Sequence, residues 1–531
     1  MMSDLTRMAL VGTSRSANSA TLDVDHPAEA LLAGREQADP ESILLLRAGV
    51  HAVYAAAGRA AEPDVAAIPE APPETARTPG GKLLGILQNA MAADSKDLFG
   101  EMLRQMAAGN LHLPHELLPL ALSVSDTTLR ERLLPVVGER GQWISRFNPE
   151  WSWVYEGIGT LSDSDQERLQ QVWDEGAIPE RCRVLAAWRR SNPAEARDKL
   201  AATLPQESAE HRSRLLGELE TGLSYDDEAF LEKCLDDRSS GVKQIAAGLL
   251  SQLPGSALSL RMCERARAML SAQKTGIVFK KLVVACSPPE TIDKTWERDG
   301  ISQKPPGGRG KRAFWAESVL QAVPPSHWVK QLGAAPEALI EAVREDTFGQ
   351  SVLLGWSRAC ARFAASDAEC AQWVKPLWAY WEDVGSRAQG QARVAIVEEM
   401  KTLQEVMSAP DAEQGVLELL WKNHNSGESE AITLLERLPR PWSSHFSQRY
   451  LQLTRSVVEK SSDNFAYQWM NTLHMAGRAI PPDLFTTALA PWDLTADQTR
   501  TSWALSSAER ELERFQETIR LRQSFYAEVS V

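Results

Sequence analysis

"LDDRSSGVKQIAAGLLSQLP", residues 235–254, sets Val242, Ile245, Ala246, Leu249, Leu250 and Leu253 at i, i+3, i+4, i+7, i+8 and i+11. That spacing gathers the bulky apolar groups on one stripe of a 3.6-residue helix. Ser239 or Ser240 can cap the first orphan amides, Asp236 and Asp237 suit the positive end of the helix dipole, and Pro254 cannot continue the helix. Just upstream, "DEAFLEKCL" carries Phe230, Leu231, Cys234 and Leu235 on one face. Two helices joined by "DDRSS" make a hairpin with one apolar side. Such a hairpin cannot bury that side alone, so the sequence demands neighbours of the same kind.

The rest of the chain fits that demand. Its 531 residues suffice for several domains or for one long array that no single core limits. Helix formers dominate, and no Asn-Gly or Asp-Gly hairpin signal stands between alternating apolar runs; Asp299-Gly300 lies in a polar loop. The expected fold class is all-α. From Lys82 to about Arg267 the helices come in pairs, among them "SDSDQERLQQVW" with "IPERCRVLAAWRR" and "NPAEARDKLAATL" with "EHRSRLLGELETGL". Proline and glycine divide the chain into an N-terminal helical arm or cap (1–60), a Pro-rich linker (61–82), helical repeats (83–300), a basic Gly/Pro loop (301–312) and a Trp-rich helical region (313–531).

Composition narrows the function classes. Six cysteines with no CxxC pair suit reduced thiols, and hence the cytoplasm, rather than a disulfide frame. The start, "MMSDLTRMAL", has no uninterrupted apolar core and does not read as a signal peptide. "ILLLRAGVHAVYAAAG" contains Arg47 and His51 and reads as a buried helix rather than a membrane span. A net charge of -14 argues against broad nucleic-acid affinity while leaving room for a local basic groove.

The quoted hairpin resembles a HEAT or armadillo-type α-solenoid repeat, in which an acidic turn precedes a helix bearing Val, a basic residue, two small residues and Leu. Here these are Asp236 or Asp237, Val242, Lys243, Ala246, Ala247 and Leu250. A second resemblance rests on "ALVGTSR", "LLRAGVHAVYAAAGR", "LLPVVGERGQWISRFNPEW" and "LETGLSYDDEAFLEKCLDDRSSGVKQIAAGLLSQLPGSAL", with looser matches at "VPPSHW" and "LPRPW". Together these look like an uncharacterised bacterial domain-of-unknown-function family. Its genes tend to lie beside those for a SWIM zinc-finger protein, a MoxR-type AAA+ ATPase and a von Willebrand A domain protein. The resemblance implies an accessory part of an ATPase-driven system and brings no catalytic residues with it.

The motifs point the same way. His112 and His115 form an HxxH, but Pro114 lies between them and no Glu or third ligand stands at metal spacing, so they read as a histidine pair at a helix start. "PPGGRGKR" lacks the GxxxxGK[ST] order and a preceding strand; Lys304, Arg309, Lys311 and Arg312 read as a basic loop that could meet an acidic partner. "GTSRS", Gly12 to Ser16, could be an anion nest, a docking strand or a capped loop. The carboxylate pairs in "YDDE" and "LDDRS" lie at helix starts, where capping explains them. Gly157-Ile158-Gly159 lacks the third glycine of a dinucleotide fingerprint, and no GxSxG occurs. No catalytic, cofactor-binding or metal residue is therefore expected.

Two residue sets remain. Most of the seventeen tryptophans should be wedges between helix layers, with Trp373, Trp378 and Trp381 on one broad helix face; a few exposed ones would mark an interface. The basic and aromatic concentration Arg181, Arg183, Trp188, Arg189, Arg190, Arg197, Arg212, Arg214, Arg238 and Lys243 could line one surface of a stacked array and hold an acidic peptide or a nucleic-acid backbone. The competing reading pairs each cation with a neighbouring carboxylate on a solvated face. The leading function is a non-enzymatic scaffold for protein partners, among them an AAA+ ATPase or von Willebrand A protein. The alternatives are a HEAT-like nucleic-acid binder and an enzyme whose site is assembled from distant helices.

Overall fold

The hairpin forms where the spacing places it. Helices Glu228–Cys234 and Ser240–Ser251 bury Leu231, Leu235, Val242, Ala246, Leu249 and Leu250, with Leu253 just beyond. Ile245, at the edge of the stripe, is 37% exposed. The cap differs from expectation. Ser239 occupies the N-cap position but its hydroxyl makes no capping bond; its amide donates to Asp237 Oδ1 at 2.7 Å. The Asp237 carboxylate is shared with Arg212, whose Nη2 and Nε donate to it at 2.7 and 2.9 Å, so the acidic turn ties this hairpin to the preceding helix.

A computed structural model describes residues 5–6, 9–10, 31–32, 39–57, 68–92, 96–158, 163–276, 280–305, 310–423, 430–460, 463–494 and 502–529. Contacts divide the chain into two units, residues 1–70 and residues 71–531. In the first, helix α1 (Pro40–Ala57) opens with the Ser42 amide donating to Asp39 Oδ1. The buried helix expected there is a helix, with His51 buried, but Leu45 and Val53 are mostly exposed.

The second unit is nearly all helix. Its leading members are α2 (Gly81–Ala92), α3 (Lys96–Ala108), α4 (Gly138–Ser145), α5 (Ile178–Ser191), α6 (Ala209–Gly217), α7 (Glu228–Cys234), α8 (Ser240–Ser251) and α9 (Ala257–Met269). After a β-hairpin come α10 (Lys311–Leu320), α11 (Pro336–Val343), α12 (Gly349–Phe363), α13 (Cys370–Arg387), α14 (Gly390–Gln404), α15 (Glu430–Glu436), α16 (Asp463–Ala479) and α17 (Ser502–Val529). Successive layers pack in series: α5 on α6, α6 on α8, then α10 on α12, α12 on α14 and α14 on α15. This is the stacking of a solenoid-like helical fold. One hydrophobic core runs from Leu169 to Ile519 without a break at the Gly/Pro loop.

The hairpin departs from the all-helical expectation. β1 (Leu270–Thr275) pairs antiparallel with β2 (Lys281–Cys286), from Leu270 opposite Cys286 to Thr275 opposite Lys281. Leu282, Val284 and Cys286 alternate toward the core, and β2 lies against α11. Its connection spans residues 276–280 and opens with Gly276 at φ 107°, so the two-residue turn signal that sequence reading seeks is not used.

Tryptophans fill the layers as expected. Trp328, Trp356, Trp373 and Trp381 are fully buried, and the first three form a chain with ring centroids 6.1 and 4.9 Å apart. Trp381 donates to Ser357 Oγ at 2.8 Å. Trp421 is 56% exposed and has Arg449 over its ring.

The last helix returns to the first two of this unit. Phe525 of α17 belongs to the same small core as Leu83, Leu103, Leu118 and Val154. Arg522 is the buried keystone. It donates to Glu101 of α3 at 2.6 Å and to the carbonyls of Gly477 and Ile480 at the end of α16 at 2.9 and 2.7 Å.

Candidate functional site

The structure separates the predicted basic strip into two populations. Arg189 is fully buried: Nη1 and Nη2 grip Asp227 at 3.0 and 2.8 Å, and the other donors reach the carbonyls of Pro193, Leu219, Thr221 and Gly222. Arg212 is buried on Asp237, Arg181 pairs with Glu207 at 2.7 Å, and Arg197 adds a second cation to Asp227 at 3.1 Å. These four hold helices together. Arg189 and Arg212 are therefore withdrawn as partner-binding residues: water was removed from both guanidinium groups to satisfy buried carboxylates and carbonyls. Trp188 is half-buried, with Trp173 at 5.4 Å and Lys199 Nζ 4.2 Å above its ring. Arg183, Arg190, Arg214 and Arg238 are exposed, and Lys243 is half-buried. Arg214 lies 3.4 Å from Glu210 on its own helix, a pair worth little in water.

Electrostatics follow the packing. Burial pushes the Asp227 and Asp237 carboxyls upward, but hydrogen bonds from Arg189 and Arg212 respectively more than offset it, and both titrate below the usual aspartate value. Glu207 is likewise lowered by Arg181 and His211 against its burial.

The predicted basic loop splits in the same manner. Lys304 and Lys311 are exposed, whereas Arg312 donates twice to the Pro288 carbonyl and lies over the Phe348 ring. Arg309 and the Gly12 to Ser16 stretch fall outside the described residues.

One exposed member of the strip lines a cleft. Arg183 of α5 and Arg130 stand with Glu150, Tyr155 and Glu180 around a cavity of about 540 Å³. Arg130 is anchored by its Nε bond to the Val124 carbonyl at 2.6 Å and by the Trp153 ring. The lining mixes both signs of charge.

A second cluster joins residues that sequence spacing kept apart. The segment at 71–79, read from its prolines as linker, lies along the loop at 110–113: the Arg77 amide donates to the Asn110 carbonyl at 2.8 Å and the His112 amide to the Arg77 carbonyl at 3.3 Å. This carries Glu74 to the histidine pair, and one ligand atom from each of Glu74, His112 and His115 lies within 4.8 Å of the others. Glu74 Oε1 lies 3.1 Å from His115 Nε2, while the amides of Glu139 and Arg140, in the first turn of α4, donate to Oε2 and Oε1 at 2.8 and 3.1 Å. Partial burial raises the Glu74 carboxyl, and the two amides and His115 bring it below the usual glutamate value. Gly138 makes room: it has φ 69°, and a Cβ there would sit 2.5 Å from Glu74 Oε2. The histidine rings stack 4.9 Å apart, and His112 is 2% exposed.

A sequence model described as a family of unknown function (DUF5691) matches residues 4–529. The chain belongs to that family. No curated protein and no solved structure matches it. For this DUF5691 chain, then, the arrangement of side chains is what speaks to function. Glu74 escaped sequence reading because it lies 38 positions before His112 in a Pro-rich stretch. The only local hint is Gly138, whose need for positive φ marks a spot where another backbone or side chain comes close.

Proposed function

We propose that this DUF5691 protein is a non-enzymatic helical-repeat scaffold that binds protein partners in the cytoplasm, within a MoxR-type AAA+ ATPase and von Willebrand A system. The supporting observation is a stitch, one class of inter-helix ion pair in the second unit, found beside others of shorter and longer separation such as Arg212–Asp237 and Arg298–Asp236. Charged pairs join residues 38 apart (Arg189–Asp227 and Arg261–Asp299), 39 apart (Arg344–Asp383), 40 apart (Lys422–Glu382) and 41 apart (Arg358 with both Glu317 and Glu399). That interval is close to one HEAT-type repeat of about 40 residues.

The stitch also accounts for charge that would otherwise hint at chemistry. Strongly perturbed titratable groups in a cleft are the usual sign of catalysis. Here the lowered Asp227, Asp237 and Asp383 are each explained by an arginine on another helix. Six free cysteines fit a reducing compartment. The cations left at the surface, Arg183 and Arg190 foremost, are the residues offered to an acidic protein surface.

The test is co-purification of the full chain with MoxR-type AAA+ ATPase and von Willebrand A domain proteins of its native cell, in the presence of ADP or a slowly hydrolysed ATP analogue. Recovery that depends on nucleotide and falls at least tenfold in the double variant Arg183→Glu/Arg190→Glu supports the reading. Recovery of nuclease-sensitive nucleic acid lost in the same variant, or no binding to either the ATPase or the von Willebrand A protein, overturns it.

A further inference from the structure

We propose that Glu74, His112 and His115 bind one divalent metal ion of the zinc class, a site independent of the scaffold reading. Geometry comes first. A tetrahedral ion with bonds of about 2.0–2.2 Å holds its ligand atoms roughly 3.3–3.5 Å apart. Glu74 Oε1 and His115 Nε2 stand 3.1 Å apart, and the whole set spans no more than 4.8 Å, so closing on an ion takes only small side-chain rotations.

The second observation is independent of the clustering. His112 Nδ1 lies 2.7 Å from the Leu113 carbonyl, which can only accept, so this nitrogen carries the proton and Nε2 presents a bare lone pair. That Nε2 is buried and has no hydrogen-bond partner among the described residues. A buried imidazole oriented by a backbone carbonyl, with its other nitrogen unsatisfied, is the tautomer and support of a metal-ligating histidine. Leaving it unpaired costs about 1–3 kcal/mol, which an ion at its lone pair would recover.

Glu74 has capacity to spare. A carboxylate offers about four acceptor sites. The amides of Glu139 and Arg140 take two and leave Oε1 able to face the histidines. Two neutral imidazoles and one carboxylate leave the ion a net positive charge. His115 is one-third exposed, so water reaches the fourth position from that side. The bound ion would cross-link two pieces distant in sequence, the strap at 71–79 and the segment at 112–115, while the amides at the start of α4 hold the same Glu74 carboxylate.

The experiment uses the full chain, stripped with a chelator and titrated with Co²⁺ as a visible probe and Zn²⁺ as competitor. One equivalent of Co²⁺ should give a d–d absorption band that Zn²⁺ abolishes. Glu74→Gln, which keeps the side-chain volume and an oxygen acceptor for one of the two amides, and His115→Ala should each weaken binding by more than about 100-fold, above the range for losing only an outer-shell partner. His211→Ala, which removes a histidine paired with Glu207 elsewhere, should bind as the parent does. Circular dichroism of each variant checks the fold. Absence of the band in the parent, or a band unchanged by Glu74→Gln in a folded variant, overturns the site and leaves a buried water as the partner of His112.

Discussion

Replacing Arg189 by methionine keeps most of the side-chain volume and removes every donor. Asp227 would retain Arg197 and the Ser224 amide, but the carbonyls of Pro193, Leu219, Thr221 and Gly222 would lose their guanidinium partner in a site with no exposed side-chain surface. Removing one partner of a buried ion pair costs about 3–5 kcal/mol. At about 1.4 kcal/mol per tenfold, local opening becomes roughly 100- to 4,000-fold more frequent. Amide hydrogen exchange read by mass spectrometry over α5, α6 and the turn at 219–227 measures that opening directly. Arg190→Met is the control: one position along, exposed, and expected to stay within about 0.5 kcal/mol, or roughly twofold in exchange. Arg189→Lys should fall between, because an ammonium cannot reproduce the two-pronged grip on Asp227. Less than a tenfold change in Arg189→Met, or an equal change in Arg190→Met, would refute the assignment of Arg189 to the interior.

Gly138→Ala combines positive φ with a collision against Glu74, and should cost about 1–3 kcal/mol and speed proteolysis within the strap at 71–79. Stability should be flat from pH 8 to about 7. His327, held neutral chiefly by burial, has a lowered pKa, so the unfolded chain binds the extra proton and a shallow loss begins below about 6.5. Asp227, Asp237 and Glu207 also have lowered folded values; their contribution is complete above about 5 and disappears as pH falls through those values, which a denaturant series by circular dichroism will register. Burial pushes the Cys182 thiol up to about 11 and those of Cys234 and Cys286 up to about 12, so a thiol reagent at pH 7.5 should label these three slowly until the chain is unfolded. Arg522→Met should release α17 from α3 and α16 at a cost of about 3–5 kcal/mol, seen as faster exchange in both of those helices.

What could be read from the sequence was local. The stripe from Val242 to Leu253 and the burial of Trp373, Trp378 and Trp381 depend on spacing within one helix, and spacing is what a sequence displays. The β-hairpin was missed because its five-residue connection carries no two-residue turn signature, and its alternation at Leu282, Val284 and Cys286 is brief. Arg189 and Arg190 look alike in one dimension. Only the arrival of Asp227 from 38 residues away decides which of them turns inward. Glu74 and the histidine pair are separated by two helices, and no periodicity links them.

The reunion of α17 with α2 and α3 has a consequence for biosynthesis. Glu101 waits for Arg522, 421 residues later, and the small core around Leu83 and Leu103 lacks Phe525 until that residue has been made. At about 5–20 residues per second the ribosome takes roughly 20–80 s to supply them. During that interval the earliest helices of this unit stand with part of their apolar face uncovered, so this core closes only after the chain has been made as far as Phe525.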